Sequence, residues 1–241
     1  MTLVGGIDLG SLDNSLSYVA LLDQREFELD VYTPTRGGAL PEFHPCPPAF
    51  LGIDAPQGLP LPHEPTRRLC DEIADTPTRV LPRTPDDRET GVAYRALIEA
   101  GVHVFWEIAE SRCGRVFGLD AKKSALMTAF ETYPRFVLKR LWPDDYKALP
   151  SKRKAPFSYV DFVWSLLRSA GYHCSSVRRP MVDQIDAMLC ALAAEALAGE
   201  GWYPAWKVGR KPERAEEGEF LRGGYIVVPK GPGTPEAGEL A

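Results

Sequence analysis

The sequence predicts an α/β fold, a mixed β-sheet with flanking helices and a helical insertion after the fourth strand. Three observations predict it. Residues 3–54 carry short apolar segments separated by polar or Pro-rich breaks, as strands do. Residues 64–115 change to helical spacing. The C-terminal half then mixes strand-like runs with helices, ending in the clearest helical pattern of the chain at 182–198.

The elements follow in order. LVGGIDL (3–9) reads as a short buried strand ending on an acid. LSYVALL (16–22) and FELDVYT (27–33) read as two more strands, joined as hairpins are by short polar pieces. Gly37-Gly38 and a loop with Pro41, Pro45, Pro47 and Pro48 interrupt the pattern. AFLGID (49–54) is the fourth strand, again ending on an acid and stopped by Pro56 and Pro60.

The insertion holds two helices, roughly 64–75 and 87–111. Ala93, Leu97, Ala100, Val104 and Ile108 are spaced helically in the longer one. ALMTAFET (125–132) is the fifth strand and carries Glu131. Pro134 starts a helix with Phe136, Val137, Arg140 and Leu141. Lys152-Arg153-Lys154 forms a basic loop. Pro156 opens a helix to about Ala170, ended by Gly171. Residues 172–178 form a short strand or a connector. In 182–198 the apolar set is Ile185, Met188, Leu189, Leu192, Ala193 and Ala196. One last strand-like piece, Tyr225–Val228, precedes a Gly/Pro-rich end. Three antiparallel strands followed by parallel strands with helices make a mixed sheet.

The 241 residues suit one domain, 1–229, with 64–115 inserted in it and a flexible tail at 230–241. At 44% hydrophobic and 25% charged, the composition argues against disorder. The net charge of −5 argues against a protein that coats nucleic acid electrostatically, so any polyanion must meet a local patch. The five cysteines are widely spaced with no CxxC pair, which points to reduced thiols rather than a disulfide framework. The four histidines show no metal-binding spacing. No signal peptide and no membrane-length apolar run is visible. The expectation is a soluble, cytoplasmic protein with no membrane partner. The oligomeric state is left open, a homodimer included.

The acids carry the chemistry. Asp8 and Asp54 each end an apolar strand, and a carboxylate is cheaper to hold at a sheet rim than in mid-strand. That rim is where ligands collect in open sheets. If the two strands are parallel neighbours, the carboxylates face each other across about 4.8 Å. Asp183 and Asp186 lie in the first turn of the last helix, about 60° apart on its surface. Asp186 flanks the buried stripe; for Asp183, helix-end stabilisation is an equal alternative. Glu131 ends the fifth strand, and a salt bridge to a nearby Arg weighs equally with a role in the site. Clustered carboxylates repel and raise one another's pKa, so a fold keeps them mainly around positive charge. All-oxygen ligands select Mg²⁺ or Mn²⁺ over zinc. Two such ions can activate water on one side of a phosphodiester and steady the leaving oxygen on the other.

GIDLG (6–10), GIDAPQGLP (52–60), RRLCDE (67–72), ETYPR (131–135), DQIDAMLCALAAEAL (183–197) and EEGEFLRGGYIVVP (216–229) come in an order that resembles the ribonuclease H-like superfamily, RuvC-like nucleases especially. More narrowly, the chain looks like the DUF429 family of predicted RNase H-like nucleases. The resemblance implies metal-ligand roles for Asp8, Asp54 and Asp186, with Asp183 as a further acid of the same helix and Glu131 as a site residue of the narrower family. It implies a hydrolase that cleaves nucleic-acid phosphodiester bonds with two Mg²⁺ or Mn²⁺ ions, on DNA or RNA. Arg67 and Arg68 would open the insertion beside the active rim. With Lys123 and Arg135 they are the basic residues expected to meet substrate, and Lys152, Arg153 and Lys154 could meet phosphates too. Two other functions compete. GIDLGSLDNS (6–15) also resembles the first phosphate loop of actin-like and sugar-kinase-like ATP binders, although Ala-Pro follows Asp54 where a second Asp-Gly-Gly loop is needed. A non-catalytic RNase H-like binding module is the third.

Overall fold

The first three strands are β1 (Leu3–Asp8), β2 (Leu16–Asp23) and β3 (Glu28–Arg36). They form an antiparallel meander. In this computed structural model the described residues are 3–10, 16–36, 40, 43, 47–77, 80–87, 94–119 and 125–232, with backbone alone at 33–36. β4 (Phe50–Asp54) pairs with β1 in parallel. The insertion follows, with α1 (Leu69–Ala74), α2 (Arg95–Glu110) and β5 (Gly114–Val116). β6 (Met127–Glu131), α3 (Pro134–Leu141), α4 (Pro156–Ser169) and α5 (Val182–Ala198) come next. β7 (Ala205–Arg214) and β8 (Leu221–Pro229) close the chain.

The eight strands form one mixed sheet in the order β3-β2-β1-β4-β6-β8-β7, with β5 also paired to β6. The order and directions are consistent with an RNase H-like fold. Side chains alternate across it as the pleat demands. Val4, Ala20 and Leu22 join the core under α3, α4 and α5. Ile7, Val19, Leu21 and Ile53 join the core under α2.

The helix α5 rests directly on the sheet. A Cβ on Gly6 would lie 2.1 Å from the Ala187 carbonyl oxygen and 2.2 Å from the Ala191 nitrogen. One on Gly52 would lie 2.5 Å from the Cys190 carbonyl oxygen. Gly6 and Gly52 are register partners across β1 and β4. This pair of glycines lets the backbone of α5 approach both central strands, and every residue from Gln184 to Ala196 is buried.

The fold departs in places from what the sequence predicts. One strand is expected near Tyr225–Val228; the structure has the β7–β8 hairpin. The segment 205–214 escapes notice because Gly209, Pro212 and its many charges look unlike a strand. It lies at the sheet edge, where only one ladder must be satisfied. β5 is too short to show a period. The helices of the insertion are shorter than 64–75 and 87–111, and 88–93 lie outside the described residues, as does most of the expected tail. Residues 172–178 form a connector with a single bridge, His173 to Glu28. No helix among the described residues is long and apolar enough to cross a membrane.

Candidate metal centre

Asp8 and Asp54 end adjacent parallel strands and are register partners. Asp186 stands in the second turn of α5, not in the first as expected, because the helix starts at Val182; Gly6 and Gly52 admit that helix to the sheet. One oxygen from each of the three carboxylates lies within 4.8 Å of the other two. Asp186 is buried; Asp8 and Asp54 are partly exposed.

Three carboxylates so close cannot all keep their ordinary acidity. Burial, then Asp186 and Asp54, hold the Asp8 carboxyl well above its usual range. Burial and then Asp186 push Asp54 up to about 8. Burial also raises Asp186, but Lys152 and Tyr159 offset part of that rise. The Lys152 ammonium donates to Asp186 Oδ2. The Tyr159 hydroxyl donates to Asp186 Oδ1 at 3.1 Å. Burial works against the charge on Lys152, but Asp186, Asp8 and Asp54 outweigh it and raise its pKa. Lys152 is thus the cation that answers the cluster.

Asp183, one turn earlier on α5, does not converge with the three. It is near enough to raise both Asp8 and Asp186.

Glu131 lines the same pocket but faces a different partner. Its Oε2 accepts the backbone N–H of Gln57 at 2.7 Å and an Arg68 N–H at 2.8 Å, and its Oε1 accepts another Arg68 N–H at 2.7 Å. Arg68 also forks onto Asp71, at 2.7 and 3.0 Å. Arg68 is 1% exposed, Asp71 0% and Glu131 3%. The pair joins the insertion to the loop that follows Asp54. Arg68 therefore presents no free face to a ligand, contrary to its expected place among substrate-binding residues. Arg67 donates nearby to the Asp71 carbonyl at 2.7 Å and lies 3.6 Å from Asp75. Arg135 is exposed, lines the pocket and lies over the Tyr146 ring at 5.9 Å. Lys123 lies outside the described residues.

The pocket holds about 840 Å³. The three acids form part of its lining, with Tyr94 and Leu97 from the insertion side and Tyr133, Arg135, Lys152 and Arg153 from the other. From the sequence Lys152 is part of a basic loop that could meet phosphates; the structure puts it on Asp186 instead. Tyr159 draws no notice in the sequence. Its one available signal is that Pro156 starts a helix, which puts Tyr159 in the first turn beside that loop.

The donor set fits a hard divalent cation: oxygen ligands only, a surplus of negative charge, and positions at element ends that hold them firm. Among the described residues no other group of three or more such side chains converges.

A family model described as "Protein of unknown function (DUF429)" matches residues 6–205. No curated protein and no solved structure matches the chain.

Proposed function

The chain belongs to the DUF429 family, and from the site it carries we propose that it is a divalent-metal-dependent nuclease or related phosphodiesterase with an RNase H-like active site. The observation that supports this most is the convergence of Asp8, Asp54 and Asp186 within 4.8 Å at the rim of the sheet. Asp8, Asp54 and Asp186 would hold Mg²⁺ or Mn²⁺, and two ions are the expected number. When bound, such ions acidify water and neutralise charge developing on a phosphoryl group.

The remaining work falls to the chain. Asp8 and Asp54 orient the ligand oxygens from strand ends that cannot shift singly. Tyr159 fixes the rotamer of Asp186 through its hydroxyl. Glu131 and Arg68 hold the loop after Asp54 by way of the Gln57 backbone N–H. Arg135 and Arg153 line the pocket and would take phosphate oxygens flanking the scissile bond. Tyr133 offers a ring for base stacking. Water is the nucleophile, so none is required of a side chain. A nucleic-acid substrate fits the basic wall of the pocket; the net charge of −5 confines that attraction to the site.

Single- and double-stranded DNA and RNA, incubated with Mg²⁺ or Mn²⁺, test the reading. The wild type should cleave at least one substrate and Asp8→Asn should lose that cleavage by at least about 10²-fold. Equal behaviour of the two on every substrate would remove the nuclease reading.

A further inference from the structure

A second cavity, of about 290 Å³, lies at the other end of α5. Its wall is aromatic, with Trp142, Tyr172, Trp202 and Tyr203, and it contains one ionisable acid, Glu195. Glu195 is 2% exposed. Its Oε2 accepts the Tyr172 hydroxyl at 2.6 Å, while its Oε1, shielded from water, has no hydrogen-bond partner. No Lys, Arg or His is among the residues lining the cavity. A buried carboxylate half-satisfied by one phenol is costly to keep unless something completes it.

The surroundings say what would. Burial raises the Glu195 pKa, and Glu200 adds to the local negative potential. Burial disfavours the lone carboxylate, whereas the negative potential that Glu200 adds favours a positive group nearby. Trp202 is 68% exposed, yet its ring is held stacked on Phe27, with centroids 5.9 Å apart at 25°. An indole braced on one face and open at a pocket rim is a platform for a cation. A Cβ on Gly201 would stand 3.2 Å from Glu195 Oε2, so the glycine keeps side-chain atoms away from the carboxylate. The volume is near the lower end for small-molecule sites, too small for a nucleotide strand and adequate for a compact ligand.

We propose that this cavity binds a small organic monocation, an alkylammonium or alkylguanidinium, with Glu195 as its counter-ion and Trp202 as its aromatic wall. The site is separate from the carboxylate triad and independent of the function proposed for it.

The test follows the ¹H–¹⁵N resonance of Gly201 during titration of the full chain with n-butylammonium, and with n-butanol as the neutral counterpart. Butylammonium should produce a saturable shift and butanol none. Glu195→Gln should weaken binding at least about ten-fold, the loss expected for a hydrogen bond to a charged group. If Glu195→Gln does not fold, Trp202→Ala decides, because its side chain is largely exposed; it should weaken binding several-fold. No saturable shift with butylammonium, an equal response to butanol, or unchanged affinity in the folded variant overturns the proposal.

Discussion

Asp8 and Asp54 sit opposite each other in the parallel ladder of β1 and β4, so their carboxylates leave the sheet side by side. Their mutual repulsion is built into the register and cannot be relieved by a rotamer change alone.

The first consequence is a pH dependence. Asp54 titrates from an ordinary value of 3.8 to about 8 in the folded protein, chiefly through burial. Between those values the folded state holds a proton that the unfolded chain has released. The stability contributed by that proton is full below about 3.8 and is lost as pH rises through about 8. The melting temperature of the metal-free protein should therefore fall over this window, and Asp54→Asn should flatten the fall. Mg²⁺ or Mn²⁺ competes with the same proton, so metal affinity should rise as pH rises. Thermal melts across pH, with and without Mn²⁺, check both signs.

Lys152 answers the charge that the triad concentrates. Lys152→Gln should cost about 1–2 kcal/mol, less than breaking a fully buried pair, because its side chain is 41% exposed. A divalent ion supplies the missing positive charge, so the deficit should shrink when Mg²⁺ is present. Urea unfolding with and without Mg²⁺ measures the difference.

The contact of Gly6 with Ala187 and Ala191 positions the helix that carries Asp186. Gly6→Ala must push α5 off the sheet, with backbone rather than a flexible side chain in the way. The expected cost is about 3 kcal/mol, at the upper end for overpacking. Metal binding should weaken along with stability. Chemical denaturation and Mn²⁺ titration of the same variant read the two effects.

Arg68 and Arg135 should separate stability from substrate binding. Arg68→Met strands Glu131 and Asp71 as buried, unpaired acids and should cost about 3–5 kcal/mol. Arg135→Ala, at an exposed position, should change stability by less than about 0.5 kcal/mol while raising KM. Urea unfolding beside steady-state kinetics on the cleaved substrate gives both answers.

Much of this site was legible because Asp8 and Asp54 follow apolar runs and are followed by chain breakers, a local signal. Asp186 was legible because it flanks the helically spaced apolar positions Ile185, Met188, Leu189 and Leu192. The distinction between Asp183 and Asp186 turns on 60° of helix rotation, and the fold resolves it towards Asp186. A salt bridge from Glu131 to an arginine was legible, but that Arg68 makes it, and that Lys152 pairs with Asp186, was not. Their partners Glu131 and Asp186 lie 63 and 34 residues away, and no local pattern marks a buried arginine. An Arg-Arg pair in sequence looks like a phosphate site whether it faces solvent or a carboxylate. β7 was hidden for a related reason: an edge strand needs little apolar patterning.

Whether the triad is a metal centre is tested most directly by anomalous diffraction from crystals grown with Mn²⁺. The predicted map shows Mn²⁺ bound by carboxylate oxygens of Asp8, Asp54 and Asp186, and the peak disappears in Asp8→Asn. A map without manganese between those carboxylates, with Lys152 still bonded to Asp186, would contradict it.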